Sequence, residues 1–327
     1  MSEASSRAEA FVSAHLAAAT ELGLRLGDLI DEPAIFLAAL RDGLASLADD
    51  EYSQLAERAS PGIGARYAVR APLLEAIRRP LQHALDEGSS IMALQLAQHL
   101  VRAEDRDLRL FALPCLRRSL GEDPEQTWQL LRRLGRGAED WVEVDSLADV
   151  WARGVLAEHF RWAELEQLLY SAQTYERRLV GATLATIPRR LPSRRHEELR
   201  PLVPRALEMI RLLMGDAEVM VQKSLSWAIR EWSRVDAQAT ADLLRAEAAI
   251  AVERRDGARA WVVRDSLSHQ AATLAASLRR DLAGIRRGRN EPSTSIAAGR
   301  AASFAALLSA SHDAAAAQGD RYTRSRA

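Results

Sequence analysis

Three stretches of the chain set acids, indoles and guanidiniums at spacings that a helix would turn into a chemical surface. The first runs Asp140 to Trp151, Asp-Trp-Val-Glu-Val-Asp-Ser-Leu-Ala-Asp-Val-Trp. As a helix it places Val144, Leu147, Ala148, Trp151 and Val155 on one apolar stripe, and it turns Asp145 and Asp149 away from that stripe. Trp141 falls one turn before Asp145, so an acid and an indole share the start of the helix. Asp145 also has a plainer use, as the N-cap of a helix continuing through Trp151, with Trp141 then in the core.

The second stretch is Asp216 to Trp232. Val221, Leu225, Ala228, Ile229 and Trp232 make its buried stripe, and Trp227 lies on the opposite side in line with Lys223 and Arg230. An indole among cations suits a flat or sugar-like group with an anion beside it. A neighbouring helix pair covering Trp227 is the alternative. The third stretch begins Tyr175-Glu176-Arg177-Arg178. Val180, Leu184, Ile187 and Leu191 face the core, while Arg178, Ala182, Ala185 and Arg189 line the far side. Small residues with an arginine at each end admit a close backbone, either another helix or a phosphate chain. From Arg177 to Arg195 there are six arginines and no acid.

Other chemistries lack their residues. The seven histidines are scattered, there is no His-Glu-x-x-His and no cysteine pair, so no metal site is expected. No Gly-rich phosphate loop and no Gly-x-Ser-x-Gly is present, so neither a nucleotide cofactor nor serine hydrolysis is expected. The single cysteine, Cys115, sits in an apolar context and reads as a packed small hydrophobe. A lone cysteine suits a reducing cytoplasm.

The elements that must carry these stretches are helices. Ala, Leu, Arg and Glu dominate the 327 residues, and no Asn-Gly or Asp-Gly hairpin signal appears. The fold class is all-α. Residues 7–20 and 33–47 read as amphipathic helices separated by Gly27-Asp28 and Asp31-Glu32-Pro33, and Ser60-Pro61-Gly62 with Gly64 marks a loop. Helix starts then fall near Pro72, Asp105, Asp140, Thr174 and Asp216, about 33 to 42 residues apart, with room for two helices in each interval. That beat predicts a HEAT-like α-solenoid of antiparallel helix pairs with a concave face; a plain helical bundle is the competing architecture. The expected division is 1–60 as N-terminal helices packing on the solenoid, 61–280 as the repeat domain, and 281–327 as a flexible Arg/Ala/Ser-rich tail. In that tail, Arg286 to Ser295 reads as a linker and 296–317 as one weak helix. The net charge is −1 and Lys223 is the sole lysine, so attraction to polyanions has to be local. No apolar run reaches the ~20 residues that cross a bilayer, and the N-terminus has no basic n-region.

Taken together the stretches resemble the DNA alkylation repair enzymes of the AlkD type over roughly residues 60–270. The resemblance is carried by Trp141-Val-Glu-Val-Asp145-Ser, by Arg178, by Gln222-Lys223-Ser-Leu-Ser-Trp227-Ala-Ile-Arg230-Glu231, and by Arg66-Tyr67-Ala68-Val69-Arg70-Ala71-Pro72. Ser226 departs from the glycine usual before the Trp, and Tyr175 stands where a Trp is common. The resemblance implies a DNA glycosylase that excises cationic N3- or N7-alkylated purines (7-methylguanine, 3-methyladenine, bulky adducts) from duplex DNA without a cofactor. It implies Asp145 as the acid beside an oxocarbenium-like sugar, Trp141 and Trp227 packed on the deoxyribose, and Arg178 on the phosphate next to the lesion. Lys223, Arg230, Arg177, Arg189 and Tyr175 join the expected DNA contacts. The partner is alkylated double-stranded DNA, met by a cytoplasmic, nucleoid-associated monomer. A non-catalytic HEAT-like solenoid that binds DNA structures or protein partners is the alternative.

Overall fold

The computed structural model describes residues 3–59, 67–288 and 290–306, and all regular structure among them is helical. The loop expected at Ser60-Pro61-Gly62, Arg66, Arg289 and the sequence after residue 306 lie outside the described residues. The helices are α1 (Glu3–Gly27), α2 (Pro33–Ser46), α3 (Asp50–Ala59), α4 (Ala71–Glu87), α5 (Ser90–Leu100), α6 (Arg106–Arg109), α7 (Ala112–Ser119) and α8 (Pro124–Gly137). They continue as α9 (Trp141–Ala157), α10 (Arg161–Leu168), α11 (Thr174–Arg189), α12 (Val203–Leu213), α13 (Val219–Trp232), α14 (Ala237–Arg254), α15 (Gly257–Asp265) and α16 (Ala272–Asp281). The starts of α4, α6, α9, α11 and α13 keep the beat expected from the sequence. Polar caps set many of these starts. Ser89, Asp123, Asp236 and Asp256 each accept a backbone N–H from the first turn of the helix that follows.

The chain forms two compact units, Met1–Val150 and Trp151–Ala327, whose boundary falls inside α9. In the first, α1, α4 and α7 lie side by side as one layer, and α2, α5 and α8 form a second layer against it. Phe36, Leu40, Leu73, Ile77, Phe111 and Trp128 fill the space between them. The N-terminal helices are thus part of this unit's core. Asp49 caps α3 by accepting the Tyr52 N–H at 3.1 Å and takes the Arg70 Nε at 2.5 Å, which ties the starts of α3 and α4 together.

In the second unit α11, α13 and α15 form one layer and α12, α14 and α16 the other. The backbones of α11 and α13 come close together. A Cβ at Gly181 would run into Ser224, so this helix pair needs a glycine there. Trp232 Nε1 donates to the Leu184 carbonyl at 2.9 Å across the same seam. Ala182 and Ala185 are fully buried. The backbone admitted by the small residues of α11 is therefore a helix.

The segment expected to be a linker is docked. Thr294 N and Ser293 Oγ donate to the Gly215 carbonyl at 2.9 and 3.1 Å, and Ser295 Oγ donates to the Leu212 carbonyl at 2.8 Å. Gly215 adopts φ +84°, which only glycine takes without strain. Residues 296–306 are helical and bury Ala297 and Ala301. Polar side chains spaced through a Ser/Thr-rich stretch suit a solvated linker; here they donate to two carbonyls, of Leu212 and Gly215, at the end of α12.

Candidate active site and nucleic-acid surface

The start of α9 falls at the expected Asp140, and Glu143, Arg106 and Arg109, given no role by the sequence pattern, build it. Asp140 caps the helix, accepting the Glu143 N–H at 2.9 Å, and its second oxygen takes Arg106 Nη1 at 2.5 Å. Glu143 is buried and accepts Arg109 Nε at 3.0 Å. Burial lifts the Glu143 carboxyl above the usual range, with the Arg109 hydrogen bond and charge opposing that shift only in part. The short helix α6 thus grips the first turn of α9 through two ion pairs.

With Asp140 as the cap, Asp145 stands in the second turn and is not the residue that starts the helix. It is half-buried. Trp141, at the first helical position, is 38% exposed. The stripe Val144, Leu147, Ala148, Trp151 and Val155 is buried as expected. Asp145 and Trp141 consequently lie off the core side of α9, on a turn whose backbone is fixed by the clamp beneath it.

In the second unit the arginines of α11 divide into two kinds. Arg177 is buried and donates Nε to Asp216 at 2.8 Å, while its Nη1 reaches the Ser171 carbonyl at 2.9 Å. It braces the start of α11 against the loop before α13, which corrects its expected place among the DNA contacts: a guanidinium committed to a buried acid does not face a phosphate. Arg178 is 5% exposed, and its Nη1 donates to the Met220 carbonyl at 2.6 Å, in the first turn of α13. Tyr175 is half-buried one turn earlier. The six-arginine run is therefore not one surface patch. Arg195 pairs with Glu198 at 2.7 Å, and Arg189 is exposed.

On α13, Val221, Leu225, Ala228, Ile229 and Trp232 are fully buried, as their spacing required. Trp227 is half-buried on the other side, and the Arg189 guanidinium lies 5.6 Å from its ring centroid. Lys223 is exposed one turn before Trp227. Arg230 is drawn towards α15, with Nη1 2.7 Å from Asp265 Oδ2. Trp227, Lys223 and Arg189 are thus the members of the expected set that share one outward face in this unit.

Gln222, quoted above only as part of a motif, is a positioning residue. Its Nε2 donates to the Asp216 carbonyl at 2.7 Å and its Oε1 accepts Arg287 Nη1 at 2.8 Å. Nothing local in the sequence marks it, because its partner lies 65 residues away. Among the described residues no three His, Cys, Asp or Glu side chains gather as a metal would need, and no helix is long and apolar enough to cross a membrane. Cys115 is buried in α7, and burial pushes its thiol up to about 12.

No curated protein and no solved structure matches the chain. A family model described as DNA alkylation repair enzyme matches residues 40–269, which is more than half of the chain and includes α9, α11 and α13. The chain belongs to the DNA alkylation repair enzyme family.

Proposed function

We propose that the protein is a DNA glycosylase that removes N3- and N7-alkylated purines from duplex DNA, on a HEAT-like arrangement of its helix pairs. Alkylation at either nitrogen gives the purine a positive charge and makes it a good leaving group. The bond to C1′ breaks with the electron pair going to the base, and the sugar passes through an oxocarbenium-like state. Water adds at C1′ and loses a proton, leaving a neutral base and an abasic sugar. Asp145 supplies the negative charge that stabilises the cationic sugar and orients the water. Trp141 and Trp227 offer indole faces that favour positive charge beside them. Lys223 and Arg189 hold backbone phosphates. Arg178 acts indirectly, by anchoring the first turn of α13 through the Met220 carbonyl.

The observation that carries this reading is the division of labour on α9: Asp140 caps the helix, which leaves Asp145 in the second turn beside an exposed indole. Mass spectrometry of bases released from methylated duplex tests it. Wild type should release 7-methylguanine or 3-methyladenine, and Asp145→Asn should lose most of that release while still binding the duplex. Equal release by the variant removes Asp145 from the chemistry. Binding without any release identifies the protein as a non-catalytic solenoid for DNA structures.

A further inference from the structure

A cleft of about 420 Å³ opens in the first unit between α4, α7 and α9. Arg78, Arg79 and Gln82 of α4, Arg117 of α7, and Ser146 and Asp149 of α9 line it. Arg78 is the unusual member. Its guanidinium lies 5.4 Å from the Phe111 ring centroid and packs over it. Among the described residues no carboxylate lies at ion-pair distance from Arg78, and no acceptor takes its N–H groups. Burial lowers its pKa from the ordinary arginine value; Glu75 and Asp107 act against that, while Arg117 adds to it. Arg117 itself reaches across to the Gln82 side-chain oxygen.

A half-buried cation with a second cation beside it gains when an oxyanion arrives, because the fork of N–H donors then finds charged acceptors in a poorly solvated place. The α9 wall says which oxyanion. Ser146 follows Asp145 directly, and Asp149 lies one turn on, roughly 6 Å along the helix axis. Successive nucleotides rise about 3.4 Å along one strand. A strand whose sugar meets Asp145 therefore carries a phosphate to this cleft within about two nucleotides.

We propose that the cleft is a phosphate subsite, in which Arg78, flanked by Arg79 and Arg117, takes one phosphodiester of the strand that passes α9. This rests on the DNA glycosylase reading and adds to it a contact made from α4 and α7. The subsite acts in binding and not in bond cleavage.

The test compares full-length wild type with Arg78→Gln and Arg78→Lys, using fluorescence anisotropy on an unmodified duplex across a range of salt. Each phosphate contact contributes a slope of about 0.9 in log K against log salt. Arg78→Gln should lower the slope by about one and weaken binding about ten-fold, and Arg78→Lys should keep the slope. In release of 7-methylguanine, Arg78→Gln should raise KM and leave kcat unchanged. A second measurement does not depend on the variant folding. In wild type, replacing one phosphate at a time by methylphosphonate should reproduce the loss at a single position beside the lesion. An unchanged slope in Arg78→Gln overturns the proposal while base release by wild type keeps the glycosylase reading. The absence of any single sensitive phosphate in wild type also overturns it. Wild type that neither binds duplex nor releases base overturns both.

Discussion

Asp140 and Asp145 are the same side chain five positions apart, and α9 gives them different surroundings. Asp140 holds two partners, the Glu143 N–H and Arg106. Asp140→Ala should therefore cost about 1 kcal/mol for the lost cap and about 1.5–3 kcal/mol for the lost hydrogen bond to Arg106, which keeps Asp107 at 3.0 Å, measured by urea unfolding. Asp145→Asn should change stability by less than about 1 kcal/mol and lose most of the base release. A similar separation applies to the adjacent arginines of α11. Arg177→Ala strands the buried Asp216 and should destabilise by about 3–5 kcal/mol, with no change in the salt slope of DNA binding. The spacing of apolar residues identified every buried stripe on α9 and α13, because periodicity is a property of the segment itself. It did not separate Arg177 from Arg189. An arginine looks the same whether it meets solvent or an acid, and Asp216 lies 39 residues from Arg177.

Elements were the most legible level. Prolines, acids and Thr174 announce α2, α4, α6, α9 and α11 within a residue or two, since caps and N1 prolines are local signals. What a helix face meets is not local. The small residues of α11 were compatible with a phosphate chain or with a helix, and Ser224 answers for the helix. Gly181→Ala should drive a methyl into Ser224 and cost about 1–3 kcal/mol, read as a lower midpoint in urea. The join between α3 and α4 adds a dependence on acid. Burial alone would raise the Asp49 carboxyl, but the Arg70 hydrogen bond, the Tyr52 N–H and the Arg70 charge outweigh it, and the group titrates below its ordinary value. Its contribution is then fully present above the unfolded-state pKa and is lost as pH falls through the lowered folded-state value. Asp49→Asn should be less stable than wild type at neutral pH and should close that gap as the solution is acidified, followed by thermal melts across the acid range.

At the scale of the molecule, a net charge of −1 leaves no general attraction to DNA, so affinity has to come from a few placed cations. The C-terminal segment also belongs to this scale. It lies beyond the residues matched to the family and still closes the second unit, through Gly215, Leu212 and Gln222. Ending the chain at Asp281 should lower the melting temperature by several degrees, given about 2–4 °C for each kcal/mol in a domain of this size. Calorimetry that finds no shift would show the strap to be dispensable. Composition pointed to a solvated tail here, because Ser, Thr and Arg are equally at home in water and against an unpaired carbonyl.

Cys115 gives the fold an internal clock. A thiol that titrates at about 12 inside α7 is almost never a thiolate, so electrophiles, including those that damage DNA bases, pass it by while the helices stay closed. Iodoacetamide will mark the protein only during the moments when the first unit opens. The rate of that single covalent event, followed by intact mass, times the breathing of the helices that hold α9.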